Sequence, residues 1–280
     1  MKVGLVLEGG AMRGMYTAAI LDLFLDHQIK IDGIVAVSAG ALFGVNYPSN
    51  QRGRTLRYNK KYVKDKRYMG FSSLLKTGNI VNKDFAYYQV PFELDAFDEA
   101  AYQKSKTDFY ATVTNVQTGL PEYIKITNAT QQIEVLRASS AMPFVSKIVK
   151  IGDQKYLDGG VADSIPLQKC IDLGYDKIIV ILTRPINYRK KKADPLLAKL
   201  FYHRYPKFVE AINNRYKNYN DMVEMIIEKE KNQEIFVFRP SKKIDIKRIE
   251  RDPDKLQEMY DLGIEDGNRL IEKLKQYLKE

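Results

Sequence analysis

Two short apolar runs separated by an amphipathic stretch open the chain. Lys2–Leu7 is apolar up to Glu8-Gly9-Gly10, and a helical pattern follows through Met15, Ala18, Ala19, Leu21, Leu23 and Leu25 to about His27. Ile34–Val37 is a second, β-branched run that stops at Ser38, and Ala39–Val45 reads as the start of another helix. Strand, helix, strand, helix in such close succession predicts a parallel α/β sheet. A right-handed crossover sets the two strands side by side. Their C-terminal ends, Glu8–Gly14 and Ser38, then share the sheet edge on which open α/β folds build their sites.

The middle of the chain alternates differently. Phe109–Val116 and Glu122–Ile126 flank Gln117-Thr118-Gly119 and predict a hairpin. Ile133–Ser139 is helical and stops before Pro143. Lys147–Ile151 and Lys155–Leu157 pair around Gly152-Asp153, and Asp158-Gly159-Gly160 follows at once. Ile165–Leu173 is a helix closed by Gly174, and Lys177–Leu182 has the pattern of a buried strand. Residues 186–233 are helical in pattern and rich in Lys, Arg, Tyr and Asn. Glu234–Arg239 is a late strand, and Asp252–Lys279 forms a closing helix or helix pair. Because a strand returns after residue 233, the segment 186–233 is expected as a helical insertion into one domain, with 241–280 as a helical C-terminal extension. No linker, repeat or low-complexity tract interrupts the pattern.

Composition narrows the class. With 45% hydrophobic residues among 280, the chain has ample material for a core, which excludes intrinsic disorder as its description. The lone Cys170 excludes an intrachain disulfide and fits a reducing, cytoplasmic setting. It falls in an apolar helix pattern and reads as a core residue. Two histidines, His27 and His203, are too few for a His-rich metal site, and no metal or other cofactor is expected. The net charge of +10 favours anionic partners. No apolar run approaches the ~20 residues that cross a bilayer. No secretory leader is read in the first residues, where Glu8 and Arg13 interrupt the apolar run.

Three short segments carry the chemistry. Ala36-Val37-Ser38-Ala39-Gly40 is a small-x-Ser-x-small pentad at a strand-to-helix junction. A nucleophile elbow needs small residues two before and two after the serine, because they approach each other in the sharp turn. The bland alternative is a serine that caps a helix. Gly9-Gly10-Ala11-Met12-Arg13-Gly14 lies between the first strand and its helix, where backbone N–H groups can hold an anion. That anion is either a dinucleotide pyrophosphate or a developing oxyanion. The dinucleotide fingerprint requires glycine where Ala11 stands and an acid at the end of the next strand. Ser38 stands there instead, which favours the oxyanion hole. Arg13 is either a solvated first-turn residue or a contact for substrate phosphate. Asp158 precedes Gly159 and Gly160 on a turn after a strand, where its carboxylate can serve a serine hydroxyl as general base.

Taken together, Glu8-Gly9-Gly10-Ala11-Met12-Arg13-Gly14, Val37-Ser38-Ala39-Gly40 and Asp158-Gly159-Gly160 resemble the patatin-like phospholipases. The segment Arg137-Ala138-Ser139-Ser140-Ala141-Met142-Pro143 is similar to the one before that family's catalytic aspartate. The resemblance spans roughly residues 1–185 and the strand near 234–240, and departs from the family at Ala36 and Ala11. It implies one three-layer α/β/α domain and hydrolysis of a lipid or acyl-ester substrate, of phospholipase A or lysophospholipase type. It also implies Ser38 as nucleophile, Asp158 as base, and Gly9, Gly10 and Ala11 as the oxyanion hole, supported by Gly14, Gly40, Gly159 and Gly160.

Two other readings stay open. One is a non-catalytic nucleotide- or phospholipid-binding module built on the same glycine loop. The other is a Ser–Asp–His triad, since Ser38, Asp158 and His203 fall in a chain order used by other hydrolases. Gln51–Arg67 holds eight basic residues against Asp65, with Tyr58 and Tyr62 interleaved. It reads either as a solvated helix face or as a landing patch for anionic lipid, which would make the protein peripheral to a membrane. Arg189–Lys192 is a basic run expected in a loop. No helix-turn-helix, zinc or RNA-recognition motif is present, so no nucleic-acid partner is expected.

Overall fold

A computed structural model of the chain describes residues 1–279. In chain order the strands and α-helices are β1 (Val3–Leu7), α1 (Met15–Asp26), β2 (Gly33–Val37), α2 (Ala39–Gly44), α3 (Arg54–Tyr62), α4 (Phe71–Thr77), α5 (Glu99–Lys104), β3 (Asp108–Asn115), β4 (Pro121–Lys125), α6 (Ile133–Ser139), β5 (Val149–Ile151), β6 (Gln154–Asp158), α7 (Leu167–Asp172), β7 (Lys177–Ile181), α8 (Pro195–Tyr202), α9 (Pro206–Lys231), β8 (Ile235–Phe238) and α10 (Pro253–Tyr277), with a π-helix over Asp84–Leu94. The sheet runs β5-β6-β3-β2-β1-β7-β8, with β4 added to β3. β1, β2, β3, β7 and β8 are mutually parallel, while β4 and β6 run antiparallel to β3.

The central strands are buried on both faces, as parallel strands covered by helices must be. Alternate residues supply the two cores. Leu5, Leu7, Ile34, Ala36, Ile179 and Ile181 face the side covered by α1 and α10. Val6, Val35, Ile178 and Val180 face Cys170 of α7 and Tyr219, Val223 and Ile226 of α9. The result is the expected three-layer α/β/α sandwich. Cys170 is fully buried in the second core. Buried hydrogen bonds lock α10 to α1: the Tyr16 hydroxyl donates to Asp266 and the Tyr260 hydroxyl to Asp22.

Residues 182–234 form the crossover from β7 to its parallel neighbour β8. The part that the sequence pattern marks as helical begins only at α8. Residues 186–194 form an irregular arm, bounded by Pro185 and Pro195 and carrying four consecutive cations from Arg189 to Lys192. Prolines and like charges at close spacing oppose a helix there. The arm is pinned to α9 instead. Arg189 pairs with Glu224, and Asn220 exchanges hydrogen bonds with the backbone N–H and carbonyl of Lys190. Asp194 then caps α8 by accepting from the Leu196 N–H, with Pro195 in the first turn.

The register of β3 positions the site. Thr112 pairs with Val37 of β2, and the next residue, Val113, pairs with Asp158 of β6. β3 also pairs with β4 over Tyr110–Thr114, so β2 and β6 share its other edge, end to end. The C-terminus of β2 therefore meets the C-terminus of β6. Ser38 and Asp158, far apart in sequence, are delivered to one point.

Candidate active site

Ser38 sits in the turn between β2 and α2 with φ 57 and ψ −124. A non-glycine residue at positive φ costs on the order of 1–3 kcal/mol and persists only where the surroundings hold it. Here they do. The Ser38 N–H donates to Ser139 Oγ at 2.9 Å, and that hydroxyl donates to the Thr112 carbonyl at 2.7 Å. Gly40 gives the turn room, since a methyl group there would lie 2.7 Å from the Leu7 carbonyl oxygen. The same holds at Gly159, where a methyl would meet the Thr112 carbonyl oxygen at 2.1 Å.

The Ser38 hydroxyl donates to Asp158 Oδ2 at 2.9 Å. The other carboxylate oxygen, Oδ1, accepts from the Gly160 N–H at 2.8 Å. Thr114 donates to the carbonyls of Asp158 and Gly159, fixing the turn from below. Burial pushes the Asp158 carboxyl above its usual range. The nearby Arg215 charge, the Gly160 N–H and the Ser38 hydroxyl pull it the other way.

The glycine loop follows β1 directly. Gly9 donates its N–H to the Ser164 carbonyl at 3.4 Å. Among the described residues, the N–H groups of Gly10 and Ala11 have no hydrogen-bond partner. Ala11 itself takes φ 49, the conformation for which glycine is usual at this position of the loop. Gly14 packs against Phe43 and Ala39 of α2, which ties the loop to the elbow. Glu8 is buried and satisfied, accepting from Thr183 and from the Tyr219 hydroxyl.

Ser38 lies where two cavities meet. One, of about 120 Å³, is lined by apolar side chains that include Met12, Leu42, Phe43, Met69 and Val90. The other, of about 230 Å³, holds Asp158, the glycine loop and a group of cationic side chains. Arg13 is one of these: 9% exposed, it has its pKa lowered to about 10 by burial and by the neighbouring Arg184 charge. Lys190, Arg215 and Arg248 join it, though no motif in the sequence marks them. They come from the arm, from α9 and from the segment before α10, and only the folded crossover brings them together. Their one sequence signal is the basic run Arg189–Lys192, which is a loop as expected.

Neither histidine lines either cavity. His203 is exposed at the end of α8, and His27 ends α1, which starts at the glycine loop and runs away from it. Four of the eight cations in the basic stretch 51–67 are paired with carboxylates of this chain. Arg54 is buried against Asp95, Arg57 pairs with the same carboxylate, Arg52 with Asp26 and Arg67 with Asp65. Tyr58 and Tyr62 are buried. Among the described residues, no group of three or more His, Cys, Asp or Glu side chains is arranged to hold a metal ion, and no helix is long and apolar enough to cross a membrane.

Residues 5–171, more than half of the chain, match the family described as patatin-like phospholipase. The chain belongs to the patatin-like phospholipase family. Ser38, Asp158 and the glycine loop all lie within the matched residues. Residues 205–279 match a second family, described only as a domain of unknown function (DUF6363). That region takes in α9, β8 and α10. The uncharacterized protein YjjU of Escherichia coli (strain K12) is 30% identical over 190 residues, which cover 66% of this chain and 52% of YjjU. The chain thus spans about half the length of that curated relative. The crystal structure of VipD from Legionella pneumophila aligns with a TM-score of 0.48 at 12% identity, covering 97% of this chain and 67% of VipD.

Proposed function

We propose that this patatin-like chain is a serine acyl hydrolase of lipid esters, working through a Ser38–Asp158 dyad. The observation that carries the reading is a serine held at positive φ with its hydroxyl 2.9 Å from a buried carboxylate. Ser38 Oγ attacks the ester carbonyl while Asp158 takes its proton. The carbonyl oxygen becomes an oxyanion steadied by the unpartnered N–H groups of Gly10 and Ala11, with Gly9 shaping the loop. Asp158 returns the proton to the leaving alcohol, which departs and leaves an acyl group on Ser38. A water, deprotonated by Asp158, then releases the fatty acid and restores the serine. The apolar cavity beside Ser38 suits the acyl chain.

The lipid-facing surface of this reading is α8. Leu196, Leu197, Leu200 and Phe201 are 76%, 52%, 71% and 56% exposed. The Phe201 ring packs edge-on at 5.5 Å against Phe144, which lines the cavity containing Ser38. Lys191, Lys192 and Lys199 are exposed around it. An apolar ridge flanked by cations at the mouth of the site fits an anionic membrane surface.

Reaction with a fluorophosphonate probe tests the chemistry, followed by mass spectrometry of the labelled peptide. The label is expected on Ser38, and Ser38→Ala is expected to lose hydrolysis by on the order of 10⁴-fold or more while melting near the wild-type temperature. A variant that keeps more than about a tenth of wild-type turnover would overturn the assignment.

A further inference from the structure

We infer that the second cavity at Ser38 is a headgroup subsite for a phosphate monoester dianion, so that the preferred substrates carry a terminal phosphate. The inference rests on the acyl-hydrolase reading for its acyl half only. Six cationic side chains line the cavity: Arg13, Arg184, Lys190, Lys191, Arg215 and Arg248. Among the described residues, the only carboxylates on its walls are Glu8 and Asp158. Their two charges only partly offset the six, and neither makes an ion pair with any of them. Both oxygens of Glu8 are taken by Thr183 and Tyr219, and both oxygens of Asp158 by Ser38 and Gly160.

None of the six cations forms an ion pair within the described residues. The Nε atoms of Arg13 and Arg215 are buried without any hydrogen-bond partner. Guanidinium groups are built to grip oxyanions with paired N–H donors, and burying them unpaired opposes folding. The arrangement is held in place rather than left loose. Asn220 clamps the Lys190 backbone on both sides, and Arg189 anchors the arm to Glu224. Burial and the Arg215 charge push the Lys190 ammonium below its usual range, as expected for cations crowded together.

Zwitterionic headgroups suit this cavity less well, because their ammonium meets the same excess of positive charge. A quaternary ammonium needs an uncovered aromatic face. The Tyr188 ring already carries the Arg184 guanidinium at 4.2 Å, and the Tyr219 ring carries Lys190 Nζ at 4.2 Å. Two aromatic rings of the lining are thus occupied by the chain's own cations, while Tyr216 and Phe144 line it without one. A phosphate monoester, close to doubly charged at pH 7, meets an excess of positive charge instead. The two cavities share Ala11, Ser38, Met142 and Arg248, so one molecule can span both with its ester at Ser38.

Three lysolipids with the same acyl chain test this: a glycerol 3-phosphate ester, its phosphocholine counterpart and the neutral monoacylglycerol. For the wild-type protein kcat/KM is expected to favour the phosphate ester over phosphocholine by about tenfold or more, since each charged hydrogen bond is worth roughly that factor. Lys190→Gln and Arg184→Gln, read as the ratio of phosphate ester to neutral ester in the same preparation, should each lower it by roughly tenfold. Equal rates on phosphate and phosphocholine esters, or ratios that neither variant moves, overturn the inference. Calorimetry on Ser38→Ala with glycerol 3-phosphate and with inorganic phosphate separates the two halves. Tighter binding of glycerol 3-phosphate, lost in the added Lys190→Gln change, supports the subsite even if no ester is cleaved, in which case only the acyl-hydrolase reading fails. Binding of inorganic phosphate alone, or of neither, overturns the headgroup assignment.

Discussion

The N–H of Ser38 donates to the hydroxyl of Ser139, a residue 101 positions away that is itself fully buried. That hydroxyl relays the bond to the Thr112 carbonyl, the last residue of β3 to pair with β2. Ser139 therefore holds the strained turn from α6 without touching the ester. Ser139→Ala leaves the Ser38 N–H unpaired in the interior, at a cost of roughly 1–3 kcal/mol. The expected outcome is a lower melting temperature and a kcat that falls with little change in KM, because the serine is misplaced while the two cavities are intact. A variant with wild-type kcat would remove Ser139 from any positioning role.

Asp158 predicts opposite effects on activity and stability. Its raised pKa means that the folded protein holds a proton that the unfolded chain has released, between the ordinary value of 3.8 and the higher folded one. Stability therefore falls as pH rises through that window, and above it the buried carboxylate is a standing cost. Asp158→Asn removes that cost, so at neutral pH it should melt no lower than wild type. The same change removes the proposed base, and turnover should drop by about 10²- to 10⁴-fold. In wild type the acid limb of kcat/KM should lie above the usual carboxylate range. Scanning calorimetry and rate profiles between about pH 4 and 8 check both halves; an acid limb near 3.8 would contradict the burial argument.

Much of this was legible from local pattern. The β1–loop–α1 and β2–elbow–α2 units are each contiguous, so apolar periodicity and the glycines located them, and the turn after β6 placed Asp158 similarly. Long-range relations were not legible. That β2 and β6 meet end to end depends on the register of β3, which no short motif encodes. The cationic cavity draws on residues 13, 184, 190, 191, 215 and 248, which come from the glycine loop, the β7–β8 crossover and the segment before α10. Gln51–Arg67 reads as a basic face because its partners Asp26 and Asp95 lie elsewhere in the sequence. In the fold, Arg54 is a buried anchor rather than a surface charge.

The two histidines separate a dyad from a triad. His203 is exposed, with its ring Nδ1 3.4 Å from the Leu200 carbonyl, and His27 closes the far end of α1. Neither reaches Asp158, both of whose oxygens are already engaged by Ser38 and Gly160. His203→Ala and His27→Ala should therefore each retain most of the wild-type kcat/KM. A folded His203→Ala protein as inactive as Ser38→Ala would restore the triad.

α8 is the proposed contact with lipid. Of its eight residues only Ala198 and Tyr202 are buried, so the helix is fixed to the body by one side and leaves four large apolar side chains to solvent. Burying a leucine fully is worth about 1.5–3 kcal/mol, and partial immersion of two leucines gives a sizeable share of that. Wild-type protein should cosediment with anionic vesicles. Leu196→Ser with Leu200→Ser should weaken the partitioning by roughly 10- to 100-fold. Added salt should weaken it further through Lys191, Lys192 and Lys199, since exposed charges are screened within ~8 Å at physiological ionic strength. Reversing Lys61 and Lys64, two exposed cations of the stretch 51–67, should leave partitioning nearly unchanged. Vesicle binding that survives both serine changes, or a wild-type dimer that dissociates with them in the absence of lipid, would assign the ridge to another partner and return the membrane contact to a different face.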